Sequence, residues 1–386
     1  MTVMHLALLL AFGTGLSQAF IPLNPQFVPM PEVVQRKIPS AKVEVVCIGE
    51  VLFDFIADES CNGLSIEQVG AAGAFSKFAG GAPANNAVAL ARLGLRPMFA
   101  GAVGEDLDGE ELVAILQTNR VETVLSASAL PTRGVMVLRD EQGDRTFAGF
   151  RGDLSTEQFA DCHFDPPISS HWLVDSATLA VCMGTLGLYT GKTADMMWDV
   201  ATLIKTQRAQ AAAGRECEVP LLVVDLNVRE VFWGQAAPAD IKQSLLDFAH
   251  GVDLIKLTDE EAEWVCGVPA EQALKNPEVL MDLLCPHVGV LVTGGAKGAS
   301  YHINGVGSGS SPSFPVQVVD TTGAGDAFTA GFLAAVAMDR QQALGTAAGA
   351  DRALRMACAA GALACTKSGA IPALPNLQEV INLLIS

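Results

Sequence analysis

Short apolar, β-branched runs alternate with helix-forming segments over about 300 residues, and this alternation limits the fold more than any other feature. Strands are predicted from residue 43 to a turn at Gly49 and over 97–103, 172–174, 221–226, 252–257, 288–293 and 317–319. Helices are predicted over 84–93, 109–119, 193–207, 325–337, 352–365 and 377–384. The pattern predicts an α/β fold, a doubly wound and mostly parallel sheet with helices on both faces.

Two polar segments, near residues 50–60 and 132–152, interrupt this rhythm. Residues 134–138 and 145–150 flank a polar turn that contains Gly143, as in a β-hairpin. We therefore expect a small β lid that emerges from the main sheet.

Composition excludes several classes of protein. Asp and Glu number 42 against 24 Lys and Arg, a net charge of −18, so the basic surface that nucleic acid requires is absent. Mean hydropathy is high at +0.35, yet no run of 18 apolar residues occurs, so the body is not a membrane bundle. The nine cysteines are scattered without a CxxC pair, which is typical of buried thiols in a reducing compartment.

The sharpest local signal is Asp-Thr-Thr-Gly-Ala-Gly-Asp at 320–326, between a predicted strand and an apolar helix. Small residues at such a turn let the amides of Gly323, Ala324 and Gly325 converge on an anion. Asp326 would lie in the first helical turn, where a carboxylate beside an anion suits a general base. The alternative is a plain glycine turn with an Asp that favours the helix dipole.

Residues 320–332 and 79–94 resemble the two signatures of the PfkB-type carbohydrate kinases of the ribokinase-like superfamily, in the family's order. The likeness runs from about residue 43 to the C-terminus and looks closest to fructokinases. Residues 49–55, 103–109 and 367–375 are also similar to family segments. The resemblance implies a ribokinase-like kinase domain over 45–386, with lid elements near 50–60 and 132–152.

We expect four residues to form the sugar-binding part of the site, and the resemblance adds Arg151 to them. Asp54 is expected at the end of a strand, where the ligands of α/β sheets bind, and its carboxylate could accept hydrogen bonds from two sugar hydroxyls, although a solvated strand-end Asp is the alternative. Gly80 and Gly81 permit close approach of a ligand, and Asn85 can donate and accept hydrogen bonds. A turn and N-cap for the next helix would explain the same residues.

The phosphate side rests on the resemblance. Residues 225–229 are similar to an Asp-Pro-Asn-x-Arg stretch with Leu226 in place of Pro, which implies that Asn227 and Arg229 face the transferred phosphoryl group. Glu261 takes the place of a Glu that organises Mg²⁺ through water, unless the acidic run only favours a helix N-terminus. The remaining residues implied in nucleotide binding are Lys256, Thr293, Gly295 and Gly298.

Two departures from the family pattern bear on the ligands. Residues 150–154 replace the usual fructokinase run Phe-Tyr-Arg-Asn-Pro-Ser-Ala-Asp, which affects Arg151. Cys358 stands where many relatives have an Asn beside adenine, which affects nucleotide preference.

The resemblance implies a kinase that uses ATP and Mg²⁺, with room for a monovalent cation such as K⁺ near Asp320 and residues 367–370. The expected reaction is phosphorylation of D-fructose to fructose 6-phosphate. Alternatives are the 1-hydroxyl of fructose, another acceptor (ribose, 2-keto-3-deoxygluconate or adenosine), or a non-catalytic fructokinase-like scaffold of a plastid complex. Relatives often form homodimers through the lid.

The first residues have a different character. Residues 6–16 are apolar and lead to Ser17-Gln18-Ala19, as in a signal peptide over 1–19, and the Pro-rich segment 20–44 has a net charge of +1, as in a transit segment or linker. Phe20 after the cleavage site resembles the bipartite plastid presequences of algae with secondary plastids. We expect a plastid location without a membrane span in the mature form; an ER or secretory route and the cytoplasm are the alternatives.

Overall fold

The computed structural model describes residues 42–141, 145–166, 168–214 and 218–385. The strands are β1 (Val45–Ile48), β2 (Leu52–Ala57), β3 (Phe75–Gly80), β4 (Pro97–Gly104), β5 (Glu122–Ser128), β6 (Gly134–Arg139), β7 (Arg145–Phe150), β8 (Ala180–Met183), β9 (Leu221–Asp225), β10 (Leu254–Thr258), β11 (Gly289–Thr293), β12 (Ala299–Ile303) and β13 (Gly307–Ser311). The α-helices are α1 (Ile66–Ala72), α2 (Ala82–Arg92), α3 (Leu107–Thr118), α4 (Ser170–Ser176), α5 (Gly191–Ala212), α6 (Pro238–Ala249), α7 (Asp259–Cys266), α8 (Ala270–Lys275), α9 (Met281–Leu284), α10 (Ala324–Met338), α11 (Arg340–Gly345), α12 (Ala347–Ala364), α13 (Ala370–Ala373) and α14 (Leu377–Ile385).

Nine strands form the large sheet, in the order β13-β12-β11-β10-β9-β8-β1-β4-β5. From β11 to β5 all neighbours are parallel, and β12 and β13 add an antiparallel edge. The chain starts in the middle at β1, builds outward to β5, and then returns to build the other side from β8. This confirms the predicted doubly wound sheet, and its carboxyl edge beside β1 is where ligands of such sheets bind.

Helices cover both faces of this sheet, as predicted. Alternate residues of β1 belong to different cores, with Val45 and Cys47 on one face and Val46 and Ile48 on the other. The first core includes residues of α2, α10 and α12, and the second includes residues of α5 and α6. Because both faces are buried, the central strands are continuous apolar runs.

A second sheet of four strands, in the order β3-β2-β6-β7, accounts for the polar segments. Three residues separate β1 from β2, and Gly81 alone separates β3 from α2. The small sheet is therefore continuous with the carboxyl edge of β1, which is consistent with the predicted lid. The sequence did not reveal β3, which completes it.

Two predicted strands are wrong. Residues 172–174 lie in α4, because a run of three apolar residues suits a helix as well as a strand. Residues 317–319 form no strand; Val318 and Val319 are 60% and 56% exposed, and the Val319 amide donates to the carbonyl of Cys365, just after α12, rather than to a strand. The turn that follows still leads into a helix where the sequence predicted one.

The presequence predicted over 1–44 lies outside the described residues except for 42–44, and its parts remain predictions. Within the described ranges, no helix combines the length and apolar character that a membrane crossing requires.

Close packing of α10 on α12 depends on Gly331. A Cβ there would lie 2.9 Å from the Cβ of Ala360 and 3.0 Å from the Cα of Ala357. We expect Gly331→Val to lower the free energy of unfolding by about 1–3 kcal/mol more than Gly345→Val, because Gly345 has open space around it. Urea unfolding midpoints of the two variants provide the measurement, and equal midpoints would contradict the packing argument.

Candidate active site

The start of α10 presents main-chain amide groups beside Lys256, a buried residue of β10. Gly323 caps the helix with φ near +80°, so the helix begins at Ala324. A Cβ on Gly325 would lie 2.9 Å from Nζ of Lys256, so a larger residue would displace that lysine. The first amides of a helix lack acceptors within it and can hold an anion. The Ala324 amide is partly used, since it donates to the Thr321 carbonyl at 3.2 Å.

Asp326 lies in the first turn of α10, as predicted, and is buried. Its Oδ2 accepts a hydrogen bond of 2.8 Å from Nδ2 of Asn85, which α2 supplies. Burial raises the pKa of Asp326 to about 6, helped by the charge of Asp225 and opposed by Asn85, Lys256 and Arg229. The carboxylate is therefore mostly charged at neutral pH and close enough to its pKa to accept a proton.

A buried ion pair lies under the start of α10. Nζ of Lys256 is 3.0 Å from Oδ1 of Asp225, and the hydroxyl of Thr329 donates to Oδ2 of Asp225 at 3.3 Å. Burial opposes the charge of Lys256, but Asp225 and then Glu261 outweigh it and raise the pKa of this ammonium group. Lys256 thus remains a cation next to the amides of α10, where an anionic ligand would approach.

The predicted sugar residues gather where the small sheet joins the large one. Gly81 has φ near +98° and its Cβ position is only 2.6 Å from the carbonyl oxygen of Glu50, so only glycine fits this turn. Gly80 lies against Asp54, whose Oδ2 is 2.7 Å from its Cβ position. The structure corrects two details: Asp54 lies inside β2 rather than at a strand end, and Asn85 is inside α2, whose N-cap is Gly81.

Arg151 is not brought to this group. Its Nη1 is 2.7 Å from Oδ2 of Asp108, and its guanidinium stacks on the ring of Phe55. Because neighbouring residues of a strand face opposite sides, Asp54 and Phe55 lie on opposite faces of the small sheet. The structure therefore places Arg151 away from Asp54 and against α3.

A cavity of about 600 Å³ opens from the start of α10 along the carboxyl ends of β10 and β11. Lys256 and Gly325 line one end, and Cys358 and Cys365 of the α12 region line another part. Burial raises the pKa of the Cys358 thiol to about 11, so it is a neutral, mostly apolar wall. The cavity has the size of a small-molecule site, and its wall includes Thr293, Gly295 and Gly298 as well as Lys256.

Glu261 joins two strand ends. Its Oε1 accepts from the amide of Val228 and its Oε2 from the amide of Thr258, each at 2.8 Å. The second contact completes a capping box for α7, so the acidic run does serve the helix. Arg229 is half exposed, with Nη1 at 3.9 Å from Glu261, and Asn227 precedes it in a left-handed conformation with φ near +36°.

Sequence reasoning missed two buried acids that shape this site, Asp225 and Glu50. Asp225 is the last residue of the apolar strand β9 and Glu50 lies two residues after β1, and an acid at the end of an apolar strand was the available signal. Their partners, Lys256 for Asp225 and the amide of Ala82 for Glu50, are 31 and 32 residues further along the chain.

Comparison with known proteins agrees with this geometry. The pfkB family carbohydrate kinase profile matches residues 42–377. Fructokinase-1 of Oryza sativa subsp. japonica is 32% identical over 351 residues, covering 89% of this chain and 98% of the relative.

Solved structures of fructokinases are also similar to this chain. The chain is similar to a fructokinase with bound ATP from Xylella fastidiosa, with 28% identity, a TM-score of 0.69, and coverage of 89% of this chain and 99% of that one. A fructokinase from Vibrio cholerae O395 in a form with fructose, ADP and calcium ion bound has 25% identity, the same TM-score and the same coverage.

Proposed function

Because the chain belongs to the pfkB family of carbohydrate kinases, we propose that it transfers the γ-phosphoryl group of ATP to the 6-hydroxyl of D-fructose. The chain is a phosphotransferase with an alcohol group as acceptor. What we propose is that the acceptor is D-fructose and that its 6-hydroxyl is phosphorylated. The observation that carries it is the contact of Asn85 with Asp326, which joins the sugar residues to the start of α10. The similarity to fructokinases supports fructose over other acceptors.

Fructose would bind between the small sheet and α10. Asp54 would accept hydrogen bonds from two hydroxyls, and the narrow turn at Gly80 and Gly81 would let the sugar approach the main chain. Asn85 would complete the site from α2. A carboxylate at this position suits a neutral sugar and repels a sugar phosphate.

ATP would lie in the 600 Å³ cavity. Its phosphates would approach Lys256 and the start of α10, with Thr293, Gly295 and Gly298 along the nucleotide and Asn227 near the transferred group. Cys358 would contact the base region, where its thiol offers weak hydrogen bonding.

Asp326 would take the proton from the acceptor hydroxyl while that oxygen attacks the γ-phosphorus in line. The amides of Gly323, Ala324 and Gly325 would stabilise the negative charge of the transition state, together with Arg229. Closure of the small sheet would exclude water and suppress hydrolysis of ATP.

Mg²⁺ fits this site as an ion held mainly by the nucleotide. Within the described ranges, no three His, Cys, Asp or Glu side chains gather closely enough to hold a metal alone. Glu261 is the carboxylate we assign to it, since each oxygen keeps a lone pair for a bridging water. When bound, Mg²⁺ would neutralise phosphate charge. A monovalent cation such as K⁺ would lie near Asp320, whose Oδ2 accepts from the Gly369 amide.

A panel of acceptors with Mg²⁺–ATP tests the proposal directly. D-fructose is expected to give the highest kcat/KM, with product phosphorylated at O6 by NMR, over ribose, 2-keto-3-deoxygluconate and adenosine. Product at O1, or preference for another acceptor, would reassign the substrate. Binding of ATP with no transfer to any sugar would instead favour the scaffold alternative.

Asp326→Asn is expected to lower kcat by about 10²–10⁴ while fructose binding is retained, the scale of a lost general base. Asp240→Asn is the matched control, because it makes the same change at the third residue of α6 on an exposed surface. Near-normal turnover in Asp326→Asn would remove this residue from the mechanism. Initial rates and calorimetric binding of fructose provide the measurements.

We also propose that residues 1–44 direct the kinase to a plastid. A fluorescent fusion of this segment in an alga with a secondary plastid is expected to reach the plastid, and Phe20→Ala to arrest it in the ER. Phe27→Ala serves as the control. Fluorescence in the medium would contradict the plastid route, and a diffuse cytoplasmic signal would contradict the signal peptide.

Further proposed properties are a homodimer and the absence of nucleic-acid and membrane partners in the mature form. The excess of acidic residues supports the exclusion of nucleic acid.

A further inference from the structure

Glu50 is a buried carboxyl group that the proposed mechanism does not use. It lies two residues after β1, at the carboxyl edge of the large sheet, and is 2% exposed. Its Oε1 accepts a hydrogen bond of 3.0 Å from the amide of Ala82, the first residue of α2. Its Oε2 has no hydrogen-bond partner among the described residues.

Two carboxylates and one cation face Glu50, and the cation makes no hydrogen bond to it. Asp161, on the 3-10 turn of residues 160–162, and Asp326 of α10 both repel its negative form. Arg133, just before β6, is paired with Asp161: its Nε donates to Oδ2 at 2.6 Å and its Nη2 to Oδ1 at 2.8 Å. Its buried Nη1 has no hydrogen-bond partner among the described residues, so Arg133 attracts Glu50 without a direct contact. Burial is the main cause that raises the pKa of Glu50 to about 8, and the two carboxylates add to it. The main-chain hydrogen bonds to Glu50 act in the opposite direction.

Glu50 also determines where α2 begins. Its carbonyl oxygen lies against Gly81, and its side chain holds the Ala82 amide, so both parts of the residue clasp the turn between β3 and α2. One helical turn later, α2 carries Asn85, which donates to Asp326. A continuous set of contacts therefore runs from Glu50 through the helix start to the base.

We propose that Glu50 is a positioning residue that works only in its protonated form. As a neutral group it holds the start of α2 and keeps Asn85 on Asp326; when it ionises, the unpaired buried anion must draw in water, and the turn opens. Transfer then falls because Asp326 loses its donor. Only the kinetic test of this inference depends on the proposed function.

The pH dependence of kcat/KM, measured with the best acceptor of the panel, tests this inference. The wild type should gain activity as pH rises through about 6, where Asp326 loses its proton, and lose it through about 8. Glu50→Gln keeps the oxygen that accepts from Ala82 and cannot ionise, so it should retain the acid limb and lack the alkaline one. An alkaline limb that persists in Glu50→Gln overturns the proposal.

A matched control is Glu105→Gln, an exposed Glu that directly follows β4 and should keep both limbs. Glu50→Asp should lower kcat/KM over the whole pH range, because its shorter carboxyl cannot reach the Ala82 amide while α2 keeps its place. An unchanged profile in Glu50→Asp would show that the contact with Ala82 has no positioning role.

Thermal unfolding gives a reading that requires no substrate, so it stands even if fructose is the wrong sugar. Glu50 titrates near 4.5 in an unfolded chain and near 8 in the folded one, so the unfolded chain binds fewer protons between these values. The contribution of Glu50 to stability should therefore fall as pH rises from about 4.5 to 8 and then level off. The Tm advantage of Glu50→Gln over wild type should grow across that window.

If Tm changes with pH by the same slope in the wild type and in Glu50→Gln, Glu50 is not protonated in the folded protein. Failure of Glu50→Gln to fold at neutral pH would contradict a protonated Glu50 as well. Infrared difference spectra of the wild type between pH 7 and 9, with Glu50→Gln as the reference, give a second measurement that leaves the charges around Glu50 unchanged. They should show loss of one protonated carboxyl band, and its absence would count against the proposal.

Discussion

One hydrogen bond, from Nδ2 of Asn85 to Oδ2 of Asp326, connects the two halves of the site. The residues are 241 positions apart in the chain and come from α2 and α10, which cover the same face of the sheet. The donor helix starts at the turn that closes the small sheet, and the acceptor helix starts at the edge of the large cavity. Because α2 and α10 meet at this point, a sugar bound beside the small sheet and a nucleotide bound in the cavity would approach each other at Asp326.

Electrostatic balance in the interior is achieved by pairs. Lys256 is matched by Asp225, and Arg133 by Asp161, and all four side chains are buried. Removal of one partner from such a pair leaves a desolvated charge, which is far more costly than loss of an exposed pair. A chain with a net charge of −18 can still bind a polyanion because Lys256 and the first amides of α10 act locally, where solvent screening is weak.

Much of this architecture could be predicted from the sequence, because it follows from local pattern. The apolar strands, the helix that starts after Gly323 and the hairpin around residue 140 each have a signal within a dozen residues. Long-range pairing has no such signal: nothing near Arg151 indicates that it meets Asp108, and nothing near Arg133 indicates its place with Asp161. Short apolar runs also fail, since residues 172–174 pack as well in a helix as in a strand.

Two of the peptide segments that join the small sheet to the rest of the fold lie at the proposed sugar site. Gly49, Glu50 and Val51 connect β1 to β2, and Gly81 connects β3 to α2. The chain also enters the small sheet between β5 and β6 and leaves it after β7. A rotation of the small sheet would bend all of these connections, and at Gly81 it would shift main chain that a sugar would touch. Part of any hinge would thus be part of the proposed contact surface, so that occupancy of the site would be coupled to the angle of the small sheet.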